Sequence, residues 1–192
     1  MTRAFVAVTL DEPTRATVAA EIERLRPLCR TVAWVPASNL HLTLQFLGEQ
    51  DEERLADAAR ALDEAAATSA FTLTLHGLGA FPGMERPRIL WIGAADGALS
   101  LRTVQSEVAA ALERRRFVGD AKPWHPHLTI GRVFDPRRWR REAGPSLRRA
   151  IAQAATADFG RLTVSRVVLM RSDLSPQGAR YSELYSVGLG GT

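Results

Sequence analysis

His127-Leu128-Thr129-Ile130 and its earlier copy, His41-Leu42-Thr43-Leu44, are the two stretches from which the rest of the chain is read. In each, a histidine and a threonine stand two residues apart, with apolar residues between and after them. On a β-strand this spacing puts both polar side chains on one face and buries the alternate ones. One such strand is weak evidence, because a lone histidine on a strand is usually structural. Two copies predict a site on a sheet, made twice.

The flanks repeat as well. Phe5 lies in an apolar run 36 residues before His41, and Trp91 in another 36 residues before His127, an offset of 86 either way. After each motif comes a segment rich in Ala and charge, then a β-rich run: Phe71 to Leu75 after the first, Phe159 to Leu169 after the second. Residues 77–87, with Gly77, Gly79, Pro82, Gly83 and Pro87, read as the punctuation between two related halves. A chain of 192 residues suits one substantial core or two small lobes, and the internal match favours residues 1–192 forming one domain of two intertwined lobes.

With 46% hydrophobic and 24% charged residues, the chain has the composition of an ordinary soluble globular protein, and no apolar run suits a bilayer span. Met1-Thr2-Arg3-Ala4-Phe5 runs straight into a strand pattern without a signal peptide's apolar core, so a cytoplasmic protein is expected, away from membranes. Cys29 is the only cysteine, which excludes an intrachain disulfide, and its place at the end of a helical pattern predicts a buried structural thiol. The net charge is +4, and Lys122 is the only lysine, so the basic residues are nearly all forked arginines that suit phosphate. They are densest from Arg132 to Arg149, through Arg137, Arg138, Arg140, Arg141 and Arg148, opposed only by Asp135 and Glu142. That segment reads as a surface loop, either merely solvated or serving as a landing strip for RNA backbone beside the second motif.

In chain order, Arg3 to Leu10 reads as a buried central strand, and Asp11-Glu12-Pro13 as a helix start. Val18, Ile22, Leu25 and Leu28 follow at helical spacing, and Trp34-Val35-Pro36 is extended. The first motif strand runs from Leu40 to Leu47, closed by Gly48, and an amphipathic helix covers Asp51 to Thr68. Strands at Phe71–Leu75 and Arg88–Gly93 come next, then a helix from Leu99 to Arg116 whose Arg114-Arg115-Arg116 tail suits the negative end of its dipole. Lys122-Pro123-Trp124-His125-Pro126 is a stiff loop that delivers the strand His127 to Phe134. A short helix at Pro145–Ala155 and strands at Leu162–Met170 and Ala179–Val187, joined by a turn-rich loop at Ser172–Gly178, complete the pattern. The sum is α+β, with helices covering one side of antiparallel sheets.

Of the four histidines, His41 and His127 belong to the repeated motif. If a pseudo-twofold axis relates the halves, two imidazoles and two hydroxyls converge on one cleft. Imidazole titrates near neutrality, so one ring can give a proton while the other takes one, with Thr43 and Thr129 as donors to nonbridging oxygens. That is the equipment for in-line phosphoryl chemistry. Arg132, five residues past His127, would face away on a regular strand, and only a bulge or twist after Gly131 would turn it inward. Phe46 and Trp124 are each candidates for stacking on a base or for the core. His125 borders the site or caps its loop, and His76, with no Thr two residues on, reads as structural. A rival class makes His125 and His127 metal ligands, which would require recruiting Asp120 and Asp135. Another is a non-catalytic RNA-binding module.

The stretches His41-Leu-Thr-Leu-Gln-Phe-Leu-Gly48 and His125-Pro-His-Leu-Thr-Ile-Gly-Arg132 resemble the two signature motifs of the 2H phosphoesterases. More narrowly, they are similar to those of the bacterial and archaeal RNA 2′,3′-cyclic phosphodiesterases, historically called 2′-5′ RNA ligases. The likeness runs the length of the chain, through Arg3 to Val8, Trp34-Val35, Pro87 to Trp91, and Ser172-Asp-Leu on to Tyr181. It implies a bilobal, pseudo-twofold α+β fold, two antiparallel sheets lining a central cleft with helices outside. It implies hydrolysis of a terminal ribose 2′,3′-cyclic phosphate to a 2′-phosphate, with His41 as proton donor to the leaving O3′ and His127 as proton acceptor from water. Thr43, Thr129 and Arg132 would hold the phosphate, and no metal or cofactor is expected. The expected partners are RNA ends carrying the cyclic phosphate, met by a monomer, with 2′-5′ ligation as the reverse reaction. The alternative is a cyclic phosphodiesterase acting on a small nucleotide or ADP-ribose derivative.

Overall fold

The chain opens on β1 (Thr2–Thr9), buried on both faces: Ala4, Val6 and Val8 pack towards the helices, Phe5 and Ala7 towards the opposite side. Asp11 then stops the strand and caps α1 (Glu12–Leu25), its carboxylate accepting the Thr14 N–H at 3.0 Å with Pro13 in the first turn. This computed structural model describes residues 1–119, 123–142, 144–176 and 178–190, the side chain of Glu142 excepted. After α1 come β2 (Val32–Trp34), β3 (His41–Gln50) and α2 (Glu52–Ala65), the last capped by Asp51 through the Arg54 N–H at 2.8 Å. Then follow β4 (Phe71–Phe81), β5 (Ile89–Ala94), α3 (Ala98–Arg114) and β6 (His127–Val133). The chain finishes with α4 (Pro136–Glu142), α5 (Pro145–Ala154), β7 (Asp158–Val164), β8 (Arg166–Ser175) and β9 (Gly178–Gly188). Among the described residues no helix is long and apolar enough to cross a membrane.

The strands form two antiparallel four-stranded halves, β7-β4-β5-β6 and β3-β1-β8-β9. They meet at a seam where Leu42 of β3 bridges Leu128 of β6, which merges them into one nine-stranded sheet. Because β5 lines one edge of β6, β2 and β3 share the other: β3 pairs at Leu128, and β2 takes over at Gly131 to Val133 as β3 splays away. The helices bury their apolar stripes, such as Val18 and Ile22 of α1 or Val104 and Val108 of α3, against one face. The opposite face is left to the motif residues. β7 belongs to the second half, whereas β8 and β9 return to the first, so the first half is built from both ends of the chain.

Several sequence expectations need correction. Residues 77–87 are not all punctuation, because β4 continues through Gly77 and Gly79 to Phe81. Gly77 has φ +73° at a register shift beside Leu78, and a Cβ on Gly79 would lie 2.3 Å from the Trp91 ring, so both glycines serve the strand rather than end it. The run Leu162–Met170 is two strands, since β7 ends at Val164 and β8 starts at Arg166 with only Ser165 between. The supposed loop Ser172–Gly178 is largely the β8–β9 hairpin, paired from Ser172↔Tyr181 to Ser175↔Gly178; Gln177 lies outside the described residues.

The arginine-dense segment is not a loop either. It holds α4, pinned by Trp139, which is 3% exposed, and then α5. Arg114 and Arg115 at the end of α3 do more than face a dipole, for both contact Glu64 of α2. Register also separates Phe5 from Trp91: Thr9 pairs with His41 as Gly93 pairs with His127, so the counterpart of Trp91 is Ala7. The shared spacing hid a connection two residues longer in the second half.

Candidate active site

His41 and Thr43 flank Leu42, and His127 and Thr129 flank Leu128, the two leucines that bridge the halves and are themselves fully buried. With side chains alternating, all four polar groups lie on the face away from the helices, and the antiparallel register sets each histidine opposite the other strand's threonine. Both rings are held alike. His41 Nδ1–H donates to the Asn39 carbonyl at 2.7 Å, and His127 Nδ1–H to the His125 carbonyl at 2.7 Å. Spending Nδ1–H on a carbonyl fixes the tautomer and leaves Nε2 as the working nitrogen. Nε2 of His41 lies 3.0 Å from Thr43 Oγ1.

The bulge that Arg132 requires is present. Trp91 pairs with Thr129 but its neighbour Leu90 pairs with Gly131, so Ile130 is an extra residue in β6. That one residue reverses the alternation and returns Arg132 to the face of His127, where it is exposed. β3 does the same: Ala7 pairs with Thr43 and Val6 with Gln45, leaving Leu44 extra. Phe46 thereby joins the face of His41, half exposed and 6.2 Å from the Phe5 ring centroid.

Each imidazole rests against aromatic rings. His41 has Phe5 at 4.8 Å and Tyr181 edge-on at 5.2 Å and 87°. His127 meets Phe81 edge-on at 5.2 Å and 85°, and Phe81 leans on Trp91, whose ring covers Gly79. Two unrelated strands, β9 and β4, thus supply the same edge contact. Sequence alone leaves Phe81 unassigned and gives Tyr181 only as the end of a landmark, because neither is near a motif and neither is marked by local pattern. His125 is exposed, with its ring beside Phe81 and Trp91 at 5.6 and 5.3 Å and its carbonyl holding His127. Trp124 packs against the core and donates its indole N–H to the Thr43 carbonyl at 3.0 Å, which ties the loop before one motif to the strand of the other. His76 is exposed on β4, and Cys29 is buried against Thr31.

Burial pushes both imidazoles below the ordinary value near 6.5, and the Arg132 cation pushes the same way; the carbonyl acceptors only partly offset this. At neutral pH the ligand-free protein therefore holds two neutral rings. The consequence for stability has a definite sign. The unfolded chain takes up these protons first, so the contribution is intact above about 6.5 and is lost as pH falls below it. Urea melts between pH 8 and 5 are expected to show the wild type losing more stability on acidification than the H41N/H127N variant; parallel losses would contradict the assignment.

Among the described residues there is no group of three or more His, Cys, Asp and Glu side chains placed to hold a metal ion. Asp120, one partner that the metal-ligand reading needed, lies outside those residues, and the Asp135 carboxylate accepts the backbone N–H groups of Arg137 and Arg138.

Comparison with known proteins gives the family and the fold. The model of the 2′-5′ RNA ligase superfamily matches residues 14–176. An Aeropyrum pernix protein named RNA 2′,3′-cyclic phosphodiesterase is 34% identical over 153 residues, 80% of this chain and 84% of that protein. One of the same name from Archaeoglobus fulgidus is 33% identical over 182 residues, 95% and 97% of the two chains. A solved structure from Thermus thermophilus superimposes with a TM-score of 0.78 at 33% identity, over 98% of each chain. LigT of E. coli in its apo form superimposes with a TM-score of 0.74 over 98% of this chain and 97% of that one; at 24% identity this is a likeness of fold.

Proposed function

The chain belongs to the 2′-5′ RNA ligase superfamily, and from that premise we propose that it is an RNA 2′,3′-cyclic phosphodiesterase that opens a terminal cyclic phosphate to leave a 2′-phosphate. The observation that carries the reading is the seam, where two imidazoles in the same enforced tautomer come from separate halves to either side of one leucine bridge. In-line hydrolysis needs one base and one acid on opposite sides of phosphorus, and the seam offers that pair.

His127 Nε2 takes a proton from water as the oxygen attacks phosphorus. The P–O3′ bond breaks, and O3′ receives a proton from His41 Nε2; solvent then restores both rings. Thr43 and Thr129 donate to the nonbridging oxygens, and Arg132 opposes the charge that gathers there. The same anion raises the two depressed imidazoles when it binds, so His41 gains its proton as substrate arrives. Phe46 offers an exposed ring for a base to stack on. No metal ion has a part in these steps. With a ribose 5′-hydroxyl in place of water, the same displacement forms a 2′-5′ linkage, which is the ligase direction.

The deciding experiment offers 2′,3′-cyclic and 3′,5′-cyclic nucleotides and cyclic-phosphate-ended oligonucleotides in the presence of a strong chelator. Turnover of the 2′,3′-cyclic substrates to the 2′-phosphate alone is expected. A 3′-phosphate product would mean that the P–O2′ bond breaks in place of P–O3′ and would overturn the assigned leaving oxygen, and no turnover on any 2′,3′-cyclic end would end the proposal.

A further inference from the structure

Beyond the catalytic face lies a second concavity of about 750 Å³, enclosed by the β4–β5 turn on one side and α4 on the other. The turn contributes Pro82, Arg86 and Arg88, and α4 contributes Arg137, Arg140 and Arg141. The helical three stand at i, i+3 and i+4 and so share one face, while Trp139 anchors a different face in the core. Among the described residues, none of these five guanidinium groups has an ion pair or a side-chain hydrogen bond, and no acidic side chain lines the space. Asp135 is near enough to feel the charge of Arg141, but its carboxylate is engaged by backbone N–H groups at the start of α4. Five cations with no ion-pair partner among the described residues face one cavity and repel one another, an arrangement that an anionic ligand relieves.

The position of the cavity identifies the ligand. Pro82 follows Phe81, whose ring touches His127, and Arg88 is held by backbone bonds from its N–H to the Phe81 carbonyl and from the Val133 N–H to its own carbonyl. Arg132, on the catalytic face, is the next cation along β6. The cavity therefore continues the catalytic seam past the far end of β6, roughly 10–20 Å from the imidazoles at about 3.3 Å of rise per residue. A nucleoside 2′,3′-cyclic phosphate has a single phosphate, and with that held at the seam it has no further anion to offer the pocket.

We propose that this arginine pocket is a subsite for the backbone phosphates 5′ to the reacting end of a single-stranded RNA. The proposal rests on the phosphodiesterase reading for its purpose, but its binding chemistry is testable separately. Forked guanidinium groups suit successive phosphates, and contacts of this kind carry no base preference.

The test compares wild type with the variant R137Q/R140Q/R141Q on adenosine 2′,3′-cyclic phosphate and on a short single-stranded RNA ending in the same group. For the oligonucleotide, KM is expected to rise about tenfold or more, and the log–log salt slope of binding to flatten by about 2, at roughly 0.7 per lost phosphate contact. Kinetics on the nucleotide should not change, and the triple lysine variant should keep most of the slope. Equal losses on both substrates, or an unchanged slope, would overturn the proposal, as would a duplex RNA competing as well as a single strand. Fluorescence anisotropy with an oligonucleotide bearing a plain 3′-hydroxyl separates the two readings. If the wild type turns over neither substrate but the variant alone loses this binding, the pocket stands and the phosphodiesterase reading falls.

Discussion

H127N and H41N are each expected to lower kcat/KM for cyclic-phosphate hydrolysis by about 10²–10⁴-fold, the range typical of a lost general acid or base. The two should be told apart by pH. The base must be unprotonated, so H127N removes the acidic limb of a bell-shaped profile; the acid must be protonated, so H41N removes the alkaline limb. Since burial and Arg132 hold both rings low in the free enzyme, the wild-type kcat/KM profile should centre below the ordinary imidazole value. The kcat profile, which reports the complex, should lie higher because the bound phosphate favours the charged rings. The double variant should be little worse than either single one, because the two proton transfers belong to one displacement. If either single variant keeps wild-type kcat/KM and its full bell, the paired mechanism is wrong.

Arg132 carries the second large effect. R132Q is expected to cost about 10²–10³-fold in kcat, the range seen when one donor to a developing oxyanion is lost. A second consequence follows from the same charge. The cation depresses both imidazoles, so its removal raises both, and the whole kcat/KM profile should move to higher pH. A residue that only braced the strand would lower activity without moving the profile. R132K, which keeps the charge and loses the fork, should hold the profile in place and recover part of the rate. A profile unmoved in R132Q would remove Arg132 from the site.

Much of this arrangement is legible in the chain. Asp11 and Asp51 mark their helix starts by local chemistry, and two His-x-Thr strands announce a face because side-chain alternation is a short-range rule. What escapes depends on partners far away in sequence. Gly77 and Gly79 look like breaks until the Trp91 ring and the bulge that need them are seen. Ser165 separates two strands of different halves without a proline or glycine to signal it. The arginine run conceals α4 because one buried tryptophan, rather than an apolar periodicity, holds that helix down. Phe81 and Tyr181 reach the histidines by sheet curvature, which leaves no mark in either segment. Sequence places Arg132 only conditionally, and the condition is met by Ile130 rather than by a twist at Gly131.

The extra residues in β3 and β6 also decide where the molecule's symmetry ends. Up to the threonines the two half-sites carry the same pair of polar side chains, and a ligand that met only those four would have no preferred sense. The next position on the same face is a phenyl ring in one half and a guanidinium in the other. A nucleotide, apolar at its base and anionic at its phosphate, meets there a polarity that the duplicated strands lack, and so is given a head and a tail.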